Sequence, residues 1–270
     1  MSRTMLPNFV IIGAMKCGTT SLHEYLDLHP QIAMSRIKEP AFFIEEHNWH
    51  KGLDWYRSLF PSPAMAMGES STSYTKYPTF GDVPKRMHSI LPDAKLIYLV
   101  RDPVDRIVSQ YIHRAAHHGE TRSLENAVSR VEKNEYILYS KYNLQLSKYL
   151  EYYPRERILV VTFEDMRRDK RGMMRRVFEF LGVDSSFDSE QFDQVHNRSA
   201  EKRRPNLLKQ LLLDIRGFSR LEGHAPWLFG TPIERPRLAA SVKEKLAEAL
   251  QDDIGEFRKV SGLPLDSWCL

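Results

Sequence analysis

Residues 8–22 read NFVIIGAMKCGTTSL, and their types suit one task, the holding of a phosphate. Gly13 and Gly18 bound a short loop that carries Lys16 and Cys17, and Thr19, Thr20 and Ser21 follow at once. Glycines let backbone approach an anion closely, the first N–H groups of a helix point at it, and lysine adds formal positive charge. The nucleoside-triphosphate loop G-x-x-x-x-G-K-[ST] sets its lysine directly after the second glycine and gives a hydroxyl to magnesium. Here Thr19 follows Gly18 and the lysine lies inside the loop at Lys16. The cradle is kept, but the lysine and metal geometry of a kinase or ATPase is not. Cys17 fits a small filler residue in a tight loop better than a nucleophile.

Three further groups have types that suit the same ligand. In RIKEPAFF, residues 36–43, Pro40 bars a helix and drives Glu39 toward extended backbone. Between Lys38 and a Pro-Ala-Phe-Phe anchor, Glu39 reads either as half of a surface ion pair or as a general base beside the phosphate loop. In KLIYLVRDPVDRIVSQY, residues 95–111, Arg101 ends an apolar run and Ser109 lies two helical turns into the next segment. Arg101-Asp102 is open to two readings: a local ion pair closing the turn, or a ligand contact, since open α/β sheets bind ligands at the carboxyl ends of their strands. Lys202, Arg203 and Arg204 are consecutive. Such a run is usually a solvated loop, and beside a phosphate cradle it equally makes a clamp over an anion.

The elements that must position these groups are short apolar runs set between helical patterns. Strands are expected over residues 9–12, 31–34, the start of 67–77, 96–100 and the start of 157–166. Helices are expected after Gly18, over 81–91, from Pro103 onward, over 123–133 and 141–153, and from about residue 163 to Leu181, with Gly182 as the stop. Two amphipathic helices, 207–221 and 236–260, close the chain, whereas 187–205 has no clear period. Trp49, Trp55, Tyr56 and Phe60 fit a substrate cleft, although aromatics at helical spacing are more often core. The pattern is that of an α/β fold, three layers around a central, mostly parallel sheet, in a single domain over residues 1–270 with no linker.

Bulk composition narrows the function. With 42% hydrophobic and 27% charged residues, the chain has the composition of an ordinary globular protein. A net charge of +4 favours a local basic pocket over a nucleic-acid-binding face. No apolar run reaches the length of a membrane span, and the first residues lack the apolar core of a signal peptide. The two cysteines, Cys17 and Cys269, are expected to be thiols in a reducing, cytoplasmic setting. No metal-ligand spacing is visible, and the adjacent His117 and His118 point in different directions on a helix. No motif sets an oligomeric state.

Together these stretches resemble sulfotransferases that use 3′-phosphoadenosine 5′-phosphosulfate (PAPS), in particular heparan-sulfate-type sulfotransferase domains and their soluble bacterial relatives. NFVIIGAMKCGTTSL looks like their loop for the 5′-phosphosulfate, and YLVRDPVDRIVSQY like their 3′-phosphate segment. An acid followed by paired phenylalanines, then HKGLDWY and LFP, continues the likeness, and the order of motifs covers about residues 8–205. The resemblance implies a P-loop-like fold. It implies Lys16 at the bridging region of PAPS, where it stabilises charge on the leaving phosphate, in a loop that includes Cys17. Gly18, Thr19, Thr20 and Ser21 would hold the 5′-phosphate, and Arg101 and Ser109 the 3′-phosphate. Lys202, Arg203 and Arg204 would form a late basic loop closing over the cofactor, with Glu39 as general base. The acceptor would be a hydroxyl or amine on a small molecule, glycan, lipid or secondary metabolite. No metal is implied, because a sulfuryl group carries less charge than a phosphoryl group. One departure stands out: Glu69 is followed by Ser70, where the heparan 3-O-type enzymes carry a lysine. Neither the disulfide nor the Golgi anchor of those enzymes is visible, which points to a cytosolic bacterial relative.

Two other classes compete with this reading. A P-loop small-molecule kinase would use Asp102 as a metal-binding carboxylate. A non-catalytic nucleotide-binding protein would keep the cradle and lack a base. Among the histidines, His23, His47, His50 and His113 are the alternatives to Glu39, with His50 the foremost.

Overall fold

Apolar runs too short for helices become strands, and here they are buried on both faces, as a covered parallel sheet requires. The computed structural model describes residues 6–60, 62–193, 202–205, 228 and 230–268. In chain order the elements are β1 (Phe9–Gly13), α1 (Thr19–Asp27), β2 (Ile32–Met34), α2 (Gly52–Ser58), β3 (Ala66–Ser70), α3 (Val83–Ile90) and β4 (Lys95–Val100). Then follow α4 (Pro103–His117), α5 (Leu124–Ala127), α6 (Glu135–Leu138), α7 (Tyr142–Leu150), β5 (Ile158–Thr162), α8 (Phe163–Arg168) and α9 (Lys170–Leu181). A small antiparallel hairpin, β6 (Arg203–Pro205) with β7 (Gly230–Pro232), and the long α10 (Ala240–Ser261) complete the described chain.

Strands β1 to β5 form one sheet in the order β2-β3-β1-β4-β5, and every pairing in it is parallel. Helices flank it to give the three-layer α/β/α architecture. The chain leaves β1 toward β2 and β3, and leaves β4 toward β5. Loops that part in this way open a crevice at the carboxyl edge, between β1 and β4.

The core carries the expected strands. All of Leu96, Ile97, Tyr98, Leu99 and Val100 are fully buried, as are Phe9 to Ile12. Phe42 stacks on Tyr56 with ring centroids 4.3 Å apart, and Phe43 and Phe60 pack edge-on to the same ring. Phe42, Phe43, Tyr56 and Phe60 are therefore core, while Trp49 and Trp55 are only partly buried against it. Arg106 is fully buried on α4, where four neutral oxygens receive its guanidinium: Ser140 Oγ, Gln110 Oε1, Tyr136 O and, at 3.5 Å, Met15 O. It ties α4 and α6 to the loop that follows β1.

Three expectations are corrected. Of the helix expected over 123–133, only the single turn Leu124–Ala127 forms, and α6 appears just beyond it. The helix expected to run unbroken to Leu181 is two helices divided at Asp169. Asp169 donates its N–H to Asp165 O at the end of α8, and its carboxylate accepts from Gly172 N–H at the start of α9. An aspartate that binds its own following backbone competes with helix continuation, which is why the break falls there. Third, Glu39 is not extended: its φ is 59°. The helix expected over 207–221, Pro61 of the LFP stretch and Cys269 lie outside the described residues.

Asp169→Ala removes an N-cap worth roughly 1 kcal/mol. Thermal unfolding is expected to shift down by about 2–4 °C in a domain of this size. A rise in the midpoint would mean that one continuous helix is the native form.

Candidate active site

Where the sheet's carboxyl edge opens, loops from β1, β3, β4 and β5 and the hairpin beside α4 enclose a cleft of about 880 Å³. The loop after β1 is shaped by two glycines. A Cβ on Gly13, whose φ is 154°, would run into Thr75 Oγ1. A Cβ on Gly18, whose φ is 97°, would sit 2.9 Å from the Phe163 ring. Gly18 caps α1 without a side-chain hydrogen bond, so the N–H groups of the first turn open on the cleft beside Thr19, Thr20 and Ser21.

Lys16 sits in the same loop at φ 71° and lines the cleft. Burial, then Lys202 and Arg101, pulls its pKa down to about 8. Cys17 faces the other way, fully buried, with Sγ 3.8 Å from Tyr142 Oη. Burial pushes its thiol up to about 11, so it is held as a neutral filler. Tyr142 in turn donates to Arg101 O at 2.7 Å, which links the β1 loop to the end of β4.

Arg101 leaves β4 over the Phe163 ring, 4.7 Å from its centroid, and donates from Nη2 to Asp105 Oδ2 at 2.8 Å. Its buried Nε has no protein partner among the described residues. Ser109, two turns along α4, lines the same cleft. Of the two readings of Arg101-Asp102, a turn-closing ion pair does form, though with another partner, and Arg101 lines the cleft. The ion pair that closes the turn runs from Arg101 to Asp105, and Asp102 is the N-cap of α4, accepting from Asp105 N–H. Buried and engaged in that way, Asp102 does not line the cleft.

The basic run divides. Lys202 reaches the cleft, with Nζ 2.9 Å from His117 Nε2. Arg203 turns into the hairpin and donates to Gly230 O, and Arg204 is exposed. Strand alternation turns Arg203 away from its neighbours.

Glu39 stands at the mouth of the cleft, its side chain 40% exposed. Oε1 accepts from Lys38 Nζ at 2.8 Å, and Oε2 accepts from Thr72 Oγ1 at 3.0 Å. Its backbone N–H donates to Ser70 O at 2.9 Å, an anchor that holds the positive φ. Of the four alternative histidines only His113 lines the cleft. Burial, then Lys16 and Lys202, drives its pKa down to about 3. Its buried Nδ1, like Arg101 Nε, lacks a partner among the described residues. His23 is bound to Ser70 Oγ at 3.0 Å. In place of the lysine absent after Glu69, Lys76 brings a cation into the cleft from six residues farther on, donating to Ser73 Oγ. Burial pulls its pKa down as well. Lys76, Arg167 and Arg235 carry no local signal in sequence; the fold alone gathers them here.

The sequence matches the sulfotransferase domain family over residues 6–258. The chain belongs to that family, and the kinase reading is set aside. Among curated relatives, human bifunctional heparan sulfate N-deacetylase/N-sulfotransferase 2 is 32% identical over 198 residues, 66% of this chain and 22% of its own length. The Drosophila melanogaster bifunctional heparan sulfate N-deacetylase/N-sulfotransferase is 30% identical over 212 residues, 68% of this chain and 20% of its own. The chain thus spans about a fifth of the length of these relatives. A sulfotransferase from Alicyclobacillus acidocaldarius superposes with a TM-score of 0.72 at 26% identity, covering 97% of this chain and 98% of that one.

The depressed Lys16 sets a pH dependence for polyanion binding. A bound anion raises the lysine pKa, so binding is fully favourable while Lys16 is protonated and weakens as pH rises through about 8. Calorimetry with the desulfated product, 3′-phosphoadenosine 5′-phosphate (PAP), is expected to show affinity falling roughly tenfold between about pH 7 and 9.5. Lys16→Met is expected to flatten that fall; an equally steep fall in the variant would assign it elsewhere.

Proposed function

We propose that the chain transfers the sulfuryl group of PAPS to a hydroxyl or amine of an acceptor, by in-line displacement within the cleft. One observation carries the reading: the α1 N-terminus with Lys16, the Arg101–Ser109 pair and Glu39 all open on a single cavity. The residues present fit such a cofactor. Gly18 and the first turn of α1 open on the cleft, Arg101 Nε is buried without a protein partner among the described residues, and burial, with Lys202 and Arg101 nearby, depresses Lys16.

PAPS, when bound, supplies the activated sulfuryl group and a phosphate leaving group. Preorganised N–H groups and a lysine aimed at developing charge are worth a few kcal/mol each, about 2.7–4 for one oxyanion donor. Lys16 serves that role, and the amides of the first turn of α1 with Thr19, Thr20 and Ser21 hold the 5′-phosphate. Arg101 and Ser109 take the 3′-phosphate. Lys202 closes the cleft from the hairpin, while Arg203 and Arg204 act at most through that hairpin. Glu39 takes the proton from the acceptor. Thr72 and Lys38 orient its two oxygens, and its exposed setting leaves room for the acceptor to approach.

The similarity to heparan sulfate N-deacetylase/N-sulfotransferases favours a glycan acceptor among the classes that fit. A single domain belongs to the same reading, supported by one continuous core, and so does a cytoplasmic, reducing setting. No helix among the described residues is long and apolar enough to cross a membrane.

Glu39→Gln keeps the size of the side chain and removes its basicity. Turnover with PAPS and an active acceptor is expected to fall by about 100- to 10,000-fold with PAP affinity unchanged. Unchanged turnover would show that another group is the base.

A further inference from the structure

A second carboxylate lies directly behind Glu39 and has no part in the reaction described above. Glu69, at the end of β3, is fully buried. Its partners are three hydroxyls: Tyr74 Oη at 2.7 Å and Tyr56 Oη at 3.3 Å on Oε1, and Ser71 Oγ at 2.7 Å on Oε2. Each hydroxyl has a single proton, and here it is directed to the carboxylate. The lone pairs of two of these oxygens are thereby turned to the backbone of the Glu39 loop. Ser71 Oγ accepts from Ala41 N–H at 3.0 Å, and Tyr74 Oη accepts from Phe43 N–H at 3.4 Å.

That loop needs such support. Glu39 and Ala41 both have positive φ, 59° and 48°, without being glycine. Backbone of this kind persists only where its surroundings over-determine it. Residues 70–74 supply the surroundings: Ser70 O receives Glu39 N–H, Thr72 Oγ1 donates to the Glu39 carboxylate, and Ser71 and Tyr74 receive the amides of Ala41 and Phe43. An apolar residue at position 69 would leave both hydroxyls free to rotate. Burial pushes the Glu69 carboxyl up to about 7, against the pull of its three donors, so this arrangement is sustained at an electrostatic cost.

We propose that Glu69 is a positioning residue for Glu39: its buried carboxylate fixes the Ser71 and Tyr74 hydroxyls as acceptors, and these hold residues 39–43 in the conformation that presents Glu39 to the cleft. The inference rests on the reading of Glu39 as the acceptor-side base.

The test combines amide hydrogen exchange with a double-mutant cycle. In Glu69→Gln a donor NH2 replaces one accepting oxygen, so a hydroxyl must turn its proton away. Exchange at Ala41 and Phe43 is expected to speed up at least roughly tenfold, and kcat to fall by a similar factor, while PAP affinity stays unchanged. Glu69→Gln added to Glu39→Gln is expected to cost nothing more, because it acts through the group already removed. Wild-type exchange at both amides, a parallel loss of PAP affinity, or an equal further loss in the double variant would each overturn the proposal. If Glu39→Gln alone keeps full activity, the base reading fails, and the exchange rates still decide whether Glu69 holds the loop. Should Glu69→Gln not fold, Ser71→Ala and Tyr74→Phe remove one acceptor each. Faster exchange at Ala41 in the first and Phe43 in the second, with lower kcat and unchanged PAP affinity, supports the proposal; unchanged exchange in both overturns it.

Discussion

Positive charge crowded into one partly desolvated cleft is the constraint on which the site depends. Burial first, and then the nearby charges of Lys202 and Arg101, bring Lys16 down to about 8. Like charges brought together away from water are costly, and a polyanion removes the cost by pairing with all of them at once. Asp105 and Glu39 offset part of it, each held by partners of its own. The site is therefore complementary to something with several negative charges spread along its length, which a single phosphate does not provide.

Rigid supports keep those cations in place. The loop carrying Lys16 hangs between β1 and α1, fixed below by the buried guanidinium of Arg106 on Met15 O and laterally by the Cys17–Tyr142–Arg101 chain. Arg101 rests on Phe163 and is braced by Asp105. The acid side is built differently, from hydroxyls: residues 70–74 hold Glu39 through backbone and side-chain oxygens. The two supports meet where His23 on α1 bonds Ser70 Oγ and Ser71 N–H donates to Ile11 O on β1.

Much of this was legible in the sequence. The sheet strands show as apolar runs because both faces are buried, and Pro103 and Gly182 mark helix ends through local backbone chemistry. Lys16, Arg101 and Glu39 stand out because each sits beside such a boundary. What was hidden is what depends on distant partners. The break at Asp169 needed a side-chain hydrogen bond that competes with helix periodicity. The turn of Arg203 away from Lys202 follows from a hairpin whose second strand lies 25 residues or more along the chain, at Gly230–Pro232. Lys76 sits in a polar turn that looks solvated until the fold brings the Tyr139 ring to 5.9 Å from its Nζ. The positive φ of Glu39, before a proline that favours extended backbone, exists only because Ser70 and its neighbours bind the loop.

The central claim is that the cleft is built for the two separated phosphates of PAP and needs no metal to hold them. Calorimetric titration with PAP in the presence of a chelator, set beside ADP with magnesium, tests it directly. Tight binding of PAP alone, unaffected by the chelator, is the predicted result. Binding of magnesium-ADP in preference to PAP, or of neither, would contradict it.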